Sequence, residues 1–377
     1  MSQYIHEHED WPRFTWDQKK LASLVSAVRH HQGRLLGRME GLGFSLREEA
    51  VLQTLTLDVL ESSSIEGEIL DREQVRSSLA RRLGMDVGAL PPADRDVEGV
   101  VEMMLDATQR YAEPLTEERL FGWQAALFPT GRSGLTHLRV GAWRDDVSGP
   151  MQVVSGPIGR EWVHFEAPAA PRLAAEMAAF LDWFEERPVE DGAAPVDQSA
   201  DPVIRAGLAH LWFVTVHSFD DGNGRTARAI ADLTLARSEG TGQRFYSLSA
   251  QIRRERKAYY DILEATQRGG LDVTDWLEWF LGCLERALGG AQATLGTVLG
   301  KARFWEAHAG AVLNARQRLM LNRLLDGFTG KLTTSKWAVI AKCSQDTALR
   351  DVLDLVQKGI LRRDASSGRS TGYSLEV

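Results

Sequence analysis

Only two cysteines occur in the 377 residues, Cys283 and Cys343, sixty positions apart. They form neither a disulfide framework nor a metal-binding pair, so a reducing, cytoplasmic setting is expected. No stretch is apolar enough to span a membrane, and Met1-Ser2-Gln3-Tyr4-Ile5-His6 lacks the charged-then-apolar signature of a secretory leader. No membrane partner is expected. There is no internal repeat and no long low-complexity segment. The formal net charge of −8 argues against nucleic-acid affinity of the whole protein and leaves room only for a local basic patch. What remains is a chain 44% hydrophobic and 25% charged, with length for two or three domains.

Helical spacing dominates the pattern, so the fold class expected is mainly all-α. The stretch from Asp17 to Met39 places Leu21, Leu24, Val25, Val28, Leu35, Leu36 and Met39 on one face. A second helix is predicted from Ser45, capped by that serine with Glu48 three residues on, and it runs toward Ser62-Ser63-Ser64-Ile65-Glu66-Gly67-Glu68. Further helices are predicted around Val75 to Leu83, Val97 to Tyr111, Leu115 to Phe128, Leu173 to Glu186, Glu255 to Thr266 and Trp276 to Leu288. The texture changes between Gly131 and Pro168. There Met151-Gln152-Val153-Val154 and Trp162-Val163-His164-Phe165 read as a β-hairpin. An isolated hairpin needs helices or a ligand to keep it ordered. Residues 88–92 read as a linker and 188–200 as an acidic Ala/Pro-rich surface loop.

The chemistry is concentrated in His217-Ser218-Phe219-Asp220-Asp221-Gly222-Asn223-Gly224-Arg225-Thr226-Ala227-Arg228. An apolar helix precedes it, Ala206 to Val216, and a helix follows it, so the cluster is a loop opening onto a helix N-terminus. Backbone N–H groups and the helix dipole favour an anion there. Gly222-Asn223-Gly224 can form an N–H nest, and Arg225 and Arg228, three apart, share a helix face and can fork onto phosphate oxygens. Asp221 is a hard oxygen ligand suited to Mg²⁺ shared with phosphates, and His217 can take a proton near neutral pH. Base, metal ligand and phosphate cradle together imply phosphoryl or nucleotidyl transfer. A glycine turn with surface-paired arginines is the plain alternative.

These residues resemble the signature of the Fic family, His-x-Phe-x-(Asp/Glu)-Gly-Asn-Gly-Arg-x-x-Arg, and match it at every specified position. The commonest form has proline after the histidine, where this chain has Ser218. The hairpin resembles the family's flap, and the resemblance extends over about Tyr4 to Leu288. It implies a Fic-type helical core and transfer of AMP from ATP, with Mg²⁺, to a protein Ser, Thr or Tyr hydroxyl, self-modification included. His217 would deprotonate the acceptor, and Asp221 would hold Mg²⁺. Gly222, Asn223 and Gly224 would bind the phosphates, Arg225 the β-phosphate and Arg228 the γ-phosphate, with Phe219 a plug in the core. The strands Met151 to Val154 and Trp162 to Phe165 would clamp the target backbone. Tyr259 and Gln267 fall near the family's nucleotide contacts, but a helical tyrosine is as readily core, so both roles stay open.

Ser62-Ser63-Ser64-Ile65-Glu66-Gly67 resembles the family's inhibitory motif, (Ser/Thr)-x-x-x-Glu-(Gly/Asn), placed ahead of the catalytic domain. Glu66 beside Arg228 would fill the γ-phosphate space. Near the C-terminus, helices from Arg316 to Leu325, Thr334 to Ala341 and Ser344 to Gly359 precede a hairpin, Ile360 to Arg363 with Gly372 to Leu375 across a polar turn at 364–371. That is the pattern of a winged helix. The expected domains are 1–95 with the inhibitory motif, 96–290 as the Fic catalytic part and 311–377 as the winged-helix-like part. From Ala311 to Val377 there are eleven basic and six acidic residues, a net charge of +5 on an acidic protein. This leaves a second reading, a DNA-binding regulator that senses nucleotide, against use of the same part for homodimer formation or target docking.

Overall fold

The computed structural model describes residues 4–85, 92–147, 149–157, 159–186, 200–328, 330–364 and 371–376. The expected loop at 188–200, the linker at 88–92 and the polar turn at 364–371 lie wholly or mostly outside the described residues, as does Ile158 in the flap turn. The chain divides into two compact units, Met1–Gln292 and Ala293–Val377.

The first unit is built on one buried helix pair. α7 (Pro202–Val216) is buried at every residue from Val203 to Val216, which explains its unbroken apolar run. Asp201 caps it by accepting from Val203 N, and Pro202 takes the first helical position, where no N–H is needed. α8 (Asn223–Glu239) packs along α7 and is buried over most of its length. Around the pair stand α1 (Gln18–Glu40), α2 (Phe44–Ile65), α3 (Arg72–Arg82), α4 (Arg95–Gln109), α5 (Glu117–Leu127) and α6 (Leu173–Phe184), then α9 (Leu248–Arg254), α10 (Arg256–Gln267) and the start of α11 (Thr274–Ala307). Trp183, Trp212, Phe180 and Phe213 fill the centre with no exposed surface, and the Trp183 and Trp212 rings lie 5.3 Å apart. Each ring adds about 2 kcal/mol by leaving water.

Two boundaries depart from the spacing argument. α2 begins at Phe44 with Gly43 as N-cap, not at a Ser45 cap; extended glycine is itself a competent N-cap. α11 continues to Ala307 instead of stopping near Leu288. Gly289 and Gly290 weaken a helix by about 1 kcal/mol each but remove no hydrogen bond, so only a proline would have forced the stop.

Four short strands follow α5: β1 (Arg132–Ser133) pairs with β2 (Thr136–His137), and β3 (Gln152–Ser155) pairs antiparallel with β4 (Trp162–Glu166). The β3–β4 register shifts between Val153 and Val154, leaving His164 as the extra residue of a bulge. Support for this hairpin comes from helices and from the N-terminal segment, as its isolation requires. Tyr4 meets Phe165 edge-on at 5.2 Å, and His6 Nε2 bonds the Glu166 carbonyl at 2.8 Å. Arg268, the C-cap of α10, donates to the carbonyls of Val163 and His164 at 2.6 and 2.9 Å.

The second unit contains α12 (Ala315–Leu325), α13 (Thr334–Ile340), α14 (Gln345–Gln357) and an antiparallel pair, β5 (Leu361–Arg363) with β6 (Tyr373–Leu375). Met320, Leu321, Leu332, Trp337, Val352, Leu355 and Ile360 form its core. Among the described residues no helix is long and apolar enough to cross a membrane.

Candidate active site

α7 ends at His217, whose φ of 50° and ψ of 55° place a non-glycine residue in the left-handed region. A buried arginine secures this conformation. Arg144 Nε donates to the His217 carbonyl at 2.7 Å, and the Arg144 N–H donates to the Ser218 carbonyl at 3.0 Å. The same guanidinium reaches the Pro168 carbonyl at 2.5 Å and Asp146 at 2.8 Å, joining the turn to the segment just beyond the flap. The turn therefore holds without a proline at position 218.

His217 Nδ1 lies 3.2 Å from the Val214 carbonyl. A carbonyl can only accept, so Nδ1 carries the proton and Nε2 keeps its lone pair. Burial pushes the imidazole pKa down to about 4; the Val214 bond opposes this and the Arg144 cation adds to it. The ring is neutral at pH 7 and ready to accept a proton.

Phe219 is fully buried beside Trp143 at 5.2 Å and Phe213 at 6.2 Å. The Asn223 side chain clamps the loop from both sides, accepting from Phe219 N at 2.9 Å and donating to the Phe219 carbonyl at 2.7 Å. Its amide thus shapes the turn. Gly222, the N-cap at φ 88°, donates to Asp221 Oδ1 at 2.6 Å. Among the described residues no three acidic, histidine or cysteine side chains converge as a ready metal cage. Asp221 alone fits Mg²⁺, which characteristically binds through one or two carboxylates and completes its shell with water and phosphate oxygens.

Arg225 and Arg228 are both buried and both already paired. Arg228 Nη2 meets Glu66 Oε1 at 2.8 Å, and its Nε and Nη2 donate to the hydroxyl and carbonyl of Ser62, each at 2.9 Å. Arg225 Nη1 meets Glu68 Oε2 at 2.6 Å, with its guanidinium 5.1 Å from the Phe128 ring centre. Buried donors Arg225 Nε and Arg228 Nη1 find no acceptor among the described residues. Such donors suit additional anionic oxygens.

Both carboxylates leave one turn. α2 closes with Gly67 at φ 88°, Gly67 N–H bonding the Ser64 carbonyl at 3.2 Å and Glu68 N–H the Ser63 carbonyl at 3.0 Å, a Schellman motif. The helix end is gripped further by Arg256, which donates to the Ile65 carbonyl at 2.8 Å, and by Arg253, which donates to Ser64 Oγ at 2.8 Å. Cations there also oppose the negative end of the helix dipole. Upstream, Asp58 accepts from Ser247 Oγ and from Ser249 N at 3.2 Å, pinning α2 to the start of α9. Glu66 consequently stands so close to the nest that any Cβ on Gly224 would collide with its Oε1.

A cavity of about 450 Å³ gathers many of the predicted residues: Glu66, His217, Gly224, Tyr259, Gln267 and, from the flap, Val153, Val154, His164 and Phe165. Tyr259 is buried among Trp276 and Trp279, its hydroxyl 3.0 Å from His210 Nε2, and Gln267 donates to Thr215 at 3.2 Å. Flap residues divide by exposure. Met151 packs on the Tyr4–Phe165 cluster, whereas Gln152, Val154 and Trp162 face outward and Val163 is half-buried. Sequence reasoning missed Glu68, Arg144 and Glu264. Glu264 Oε2 bonds His164 Nδ1 at 2.6 Å, while His164 Nε2 reaches Ser155 Oγ at 2.6 Å. An acidic residue two positions beyond the motif glutamate was the available signal for Glu68; no local pattern announced the other two.

Similarity to known proteins agrees with this geometry. Residues 114–235 match the Fic/DOC family, and residues 4–85 match a domain of unknown function, DUF4172. Two curated relatives, each named protein adenylyltransferase Fic, come from Drosophila willistoni, 26% identical over 73% of this chain and 48% of that protein, and Culex quinquefasciatus, 28% identical over 75% and 48%. The chain thus spans about half the length of these relatives. A Fic family protein from Desulfovibrio desulfuricans superposes with a TM-score of 0.52 at 21% identity, covering 97% of this chain and 98% of that one, which shows a shared fold. With its mainly helical core, its hairpin and the complete motif from His217 to Arg228, this chain carries a Fic domain over residues 114–235.

Proposed function

We propose that the chain is a protein adenylyltransferase that moves AMP from ATP to a hydroxyl of a protein target, itself included, and that Glu66 restrains it. The observation that carries this reading is His217, held neutral with Nε2 unprotonated, lining the same cavity as Gly224 and the N-terminus of α8. His217 Nε2 takes the acceptor's proton, the acceptor oxygen bonds the α-phosphorus, and the bond from that phosphorus to the leaving pyrophosphate breaks. The α8 N–H groups, Arg225 and Arg228 bind and orient the triphosphate. Mg²⁺ bound at Asp221 would neutralise phosphate charge. Val154 and Trp162, 47% and 66% exposed, give the flap apolar surface for an extended target segment. Unpaired Cys283 and Cys343 suit a cytoplasmic setting.

Glu66 occupies an arginine that the donor needs, so ATP and Glu66 compete for Arg228. In ATP carrying a tagged adenine, Glu66→Gly raises protein labelling and adding His217→Ala abolishes it. Absence of labelling by the Glu66→Gly protein, of itself and of lysate proteins alike, would sink the reading.

The second reading, a DNA-binding regulator, draws less support from the second unit. Arg316 and Lys358 pair with Asp351 and Asp354, and the exposed positions of α14 include Leu349 and Leu353. That surface suits a protein contact better than a phosphate backbone.

A further inference from the structure

Arg225 is 3% exposed at its side chain, so its charge needs an anion in every state of the protein. Glu68 supplies that anion now. Its own side chain is 44% exposed, so it can swing into water while Arg225 cannot. The two partners are unequal in this way, one fixed and one movable. The same asymmetry holds for Arg228 at 1% and Glu66 at 29%. Two arginines three apart on α8 thus face two glutamates two apart on a single Schellman turn, and one backbone device sets both pairs.

We propose that Glu68 is a second latch that competes with the nucleotide for Arg225, separately from the contest between Glu66 and the nucleotide for Arg228. The proposal rests on the reading of this site as a triphosphate site, in which Arg225 serves the β-phosphate and Arg228 the γ-phosphate. The unmet donor at Arg225 Nε fits it, since a phosphate can offer several oxygens to one guanidinium where a single Glu68 oxygen engages only Nη1. Glu68 also lies within electrostatic reach of Asp221 and Glu66, two like charges that favour its departure once a cationic partner is taken by phosphate. The two latches read different parts of the ligand. Glu66 yields to a γ-phosphate alone, whereas Glu68 yields to any nucleotide that carries a β-phosphate.

Calorimetric titration of the full chain with AMP, ADP and ATP in the presence of Mg²⁺ tests this, using the wild type, Glu66→Gly, Glu68→Gln and Glu68→Ala. Glu68→Gln keeps the side chain's size and hydrogen-bonding capacity, and thermal melts report whether the alanine form is folded. The expected result is that both Glu68 variants tighten ADP and ATP by a similar factor, about three- to tenfold, and leave AMP unchanged. Glu66→Gly is expected to tighten ATP by about tenfold or more, and ADP much less. If Glu66→Gly tightens ATP while folded Glu68 variants leave ADP and ATP as they were, Glu68 is a surface tether and the latch is overturned. If no form binds any of the three nucleotides, the triphosphate reading and the latch fall together.

Discussion

Arg228 Nε points its proton at Ser62 Oγ, 2.9 Å away, while Nη2 of the same guanidinium meets Glu66 Oε1 at 2.8 Å. Ser62, in the last turn of α2, and Glu66, its C-cap, thus share one cation. The serine holds Arg228 in place whichever anion the arginine faces. Ser62→Ala leaves a fully buried charged donor without its acceptor, a loss of about 1–3 kcal/mol. Denaturant unfolding should show that loss. In the Glu66→Gly background, steady-state kinetics should show a raised KM for ATP with kcat little changed. An unaltered KM would mean that Ser62 serves only the helix.

Gly67 shapes the turn that carries both glutamates by its backbone alone. At φ 88° it lets α2 close and sends both Glu66 and Glu68 toward α8. A side chain at this conformation costs about 1–2 kcal/mol. Gly67→Ala should therefore lower stability by about that amount and raise basal labelling, because strain at the turn is relieved by moving the glutamates off the arginines. Labelling that stays at the wild-type level in a destabilised Gly67→Ala protein would show that the turn stiffens the fold without setting the latch.

The two halves of this site were unequally legible in the sequence. The loop from His217 to Arg228 was legible as a turn opening onto a helix start, because that geometry follows from short-range spacing. Its anchor was not. Arg144 lies 73 positions before His217, and only tertiary packing brings its guanidinium to that carbonyl. Glu68 stood in plain view, yet its role depends on where α2 ends relative to α8, a distance set by packing and by the bonds from Asp58 on α2 to the start of α9. Ser45 and Leu288 misled for a local reason: capping and stop signals state preferences worth about 1 kcal/mol, and neighbouring structure overrides them.

One carboxylate, on Glu264, ties both strands of the flap to α10. Glu264 on α10 bonds His164, the bulge residue of β4, which in turn reaches Ser155 on β3. Removing this link loosens both strands at once. Glu264→Gln should increase hydrogen exchange at the Val153 and Phe165 amides by about tenfold, the equivalent of about 1.4 kcal/mol. It should also raise KM for a protein acceptor more than KM for ATP. Unchanged exchange at those amides would locate the flap's support in Arg268 and Tyr4 instead.

Buried His210 makes the fold sensitive to acid. It has no exposed surface, and burial drives its pKa down to about 3, with the Arg228 cation adding to the shift. Between that value and the unfolded value near 6.5 the unfolded chain binds more protons, so stability falls as pH drops below about 6.5. At pH 5 the cost is roughly 2 kcal/mol. His210→Gln keeps a polar group toward Tyr259 without a proton to gain. Its melting temperature should start lower at pH 7.5 but decline less steeply toward pH 5. Parallel declines in the two proteins would assign the acid sensitivity to other groups.

Acid should act on His217 far later than on an ordinary histidine. Its Nδ1 proton is committed to Val214, and enclosure holds the ring's pKa at about 4. A base works only while Nε2 is unprotonated, so activity is lost as pH falls through that pKa, not through 6.5. For the Glu66→Gly protein, kcat/KM for labelling should be level from pH 8 to about 5.5 and half-maximal near 4, measured in short assays well below the melting point. Arg144→Gln removes the neighbouring cation that helps depress the pKa, and it also frees the His217 carbonyl from its charged donor. Its acid limb should move upward in pH. An acid limb near 6.5 in the parent protein would mean that His217 titrates in water-like surroundings, and the neutral, preset base would have to be abandoned.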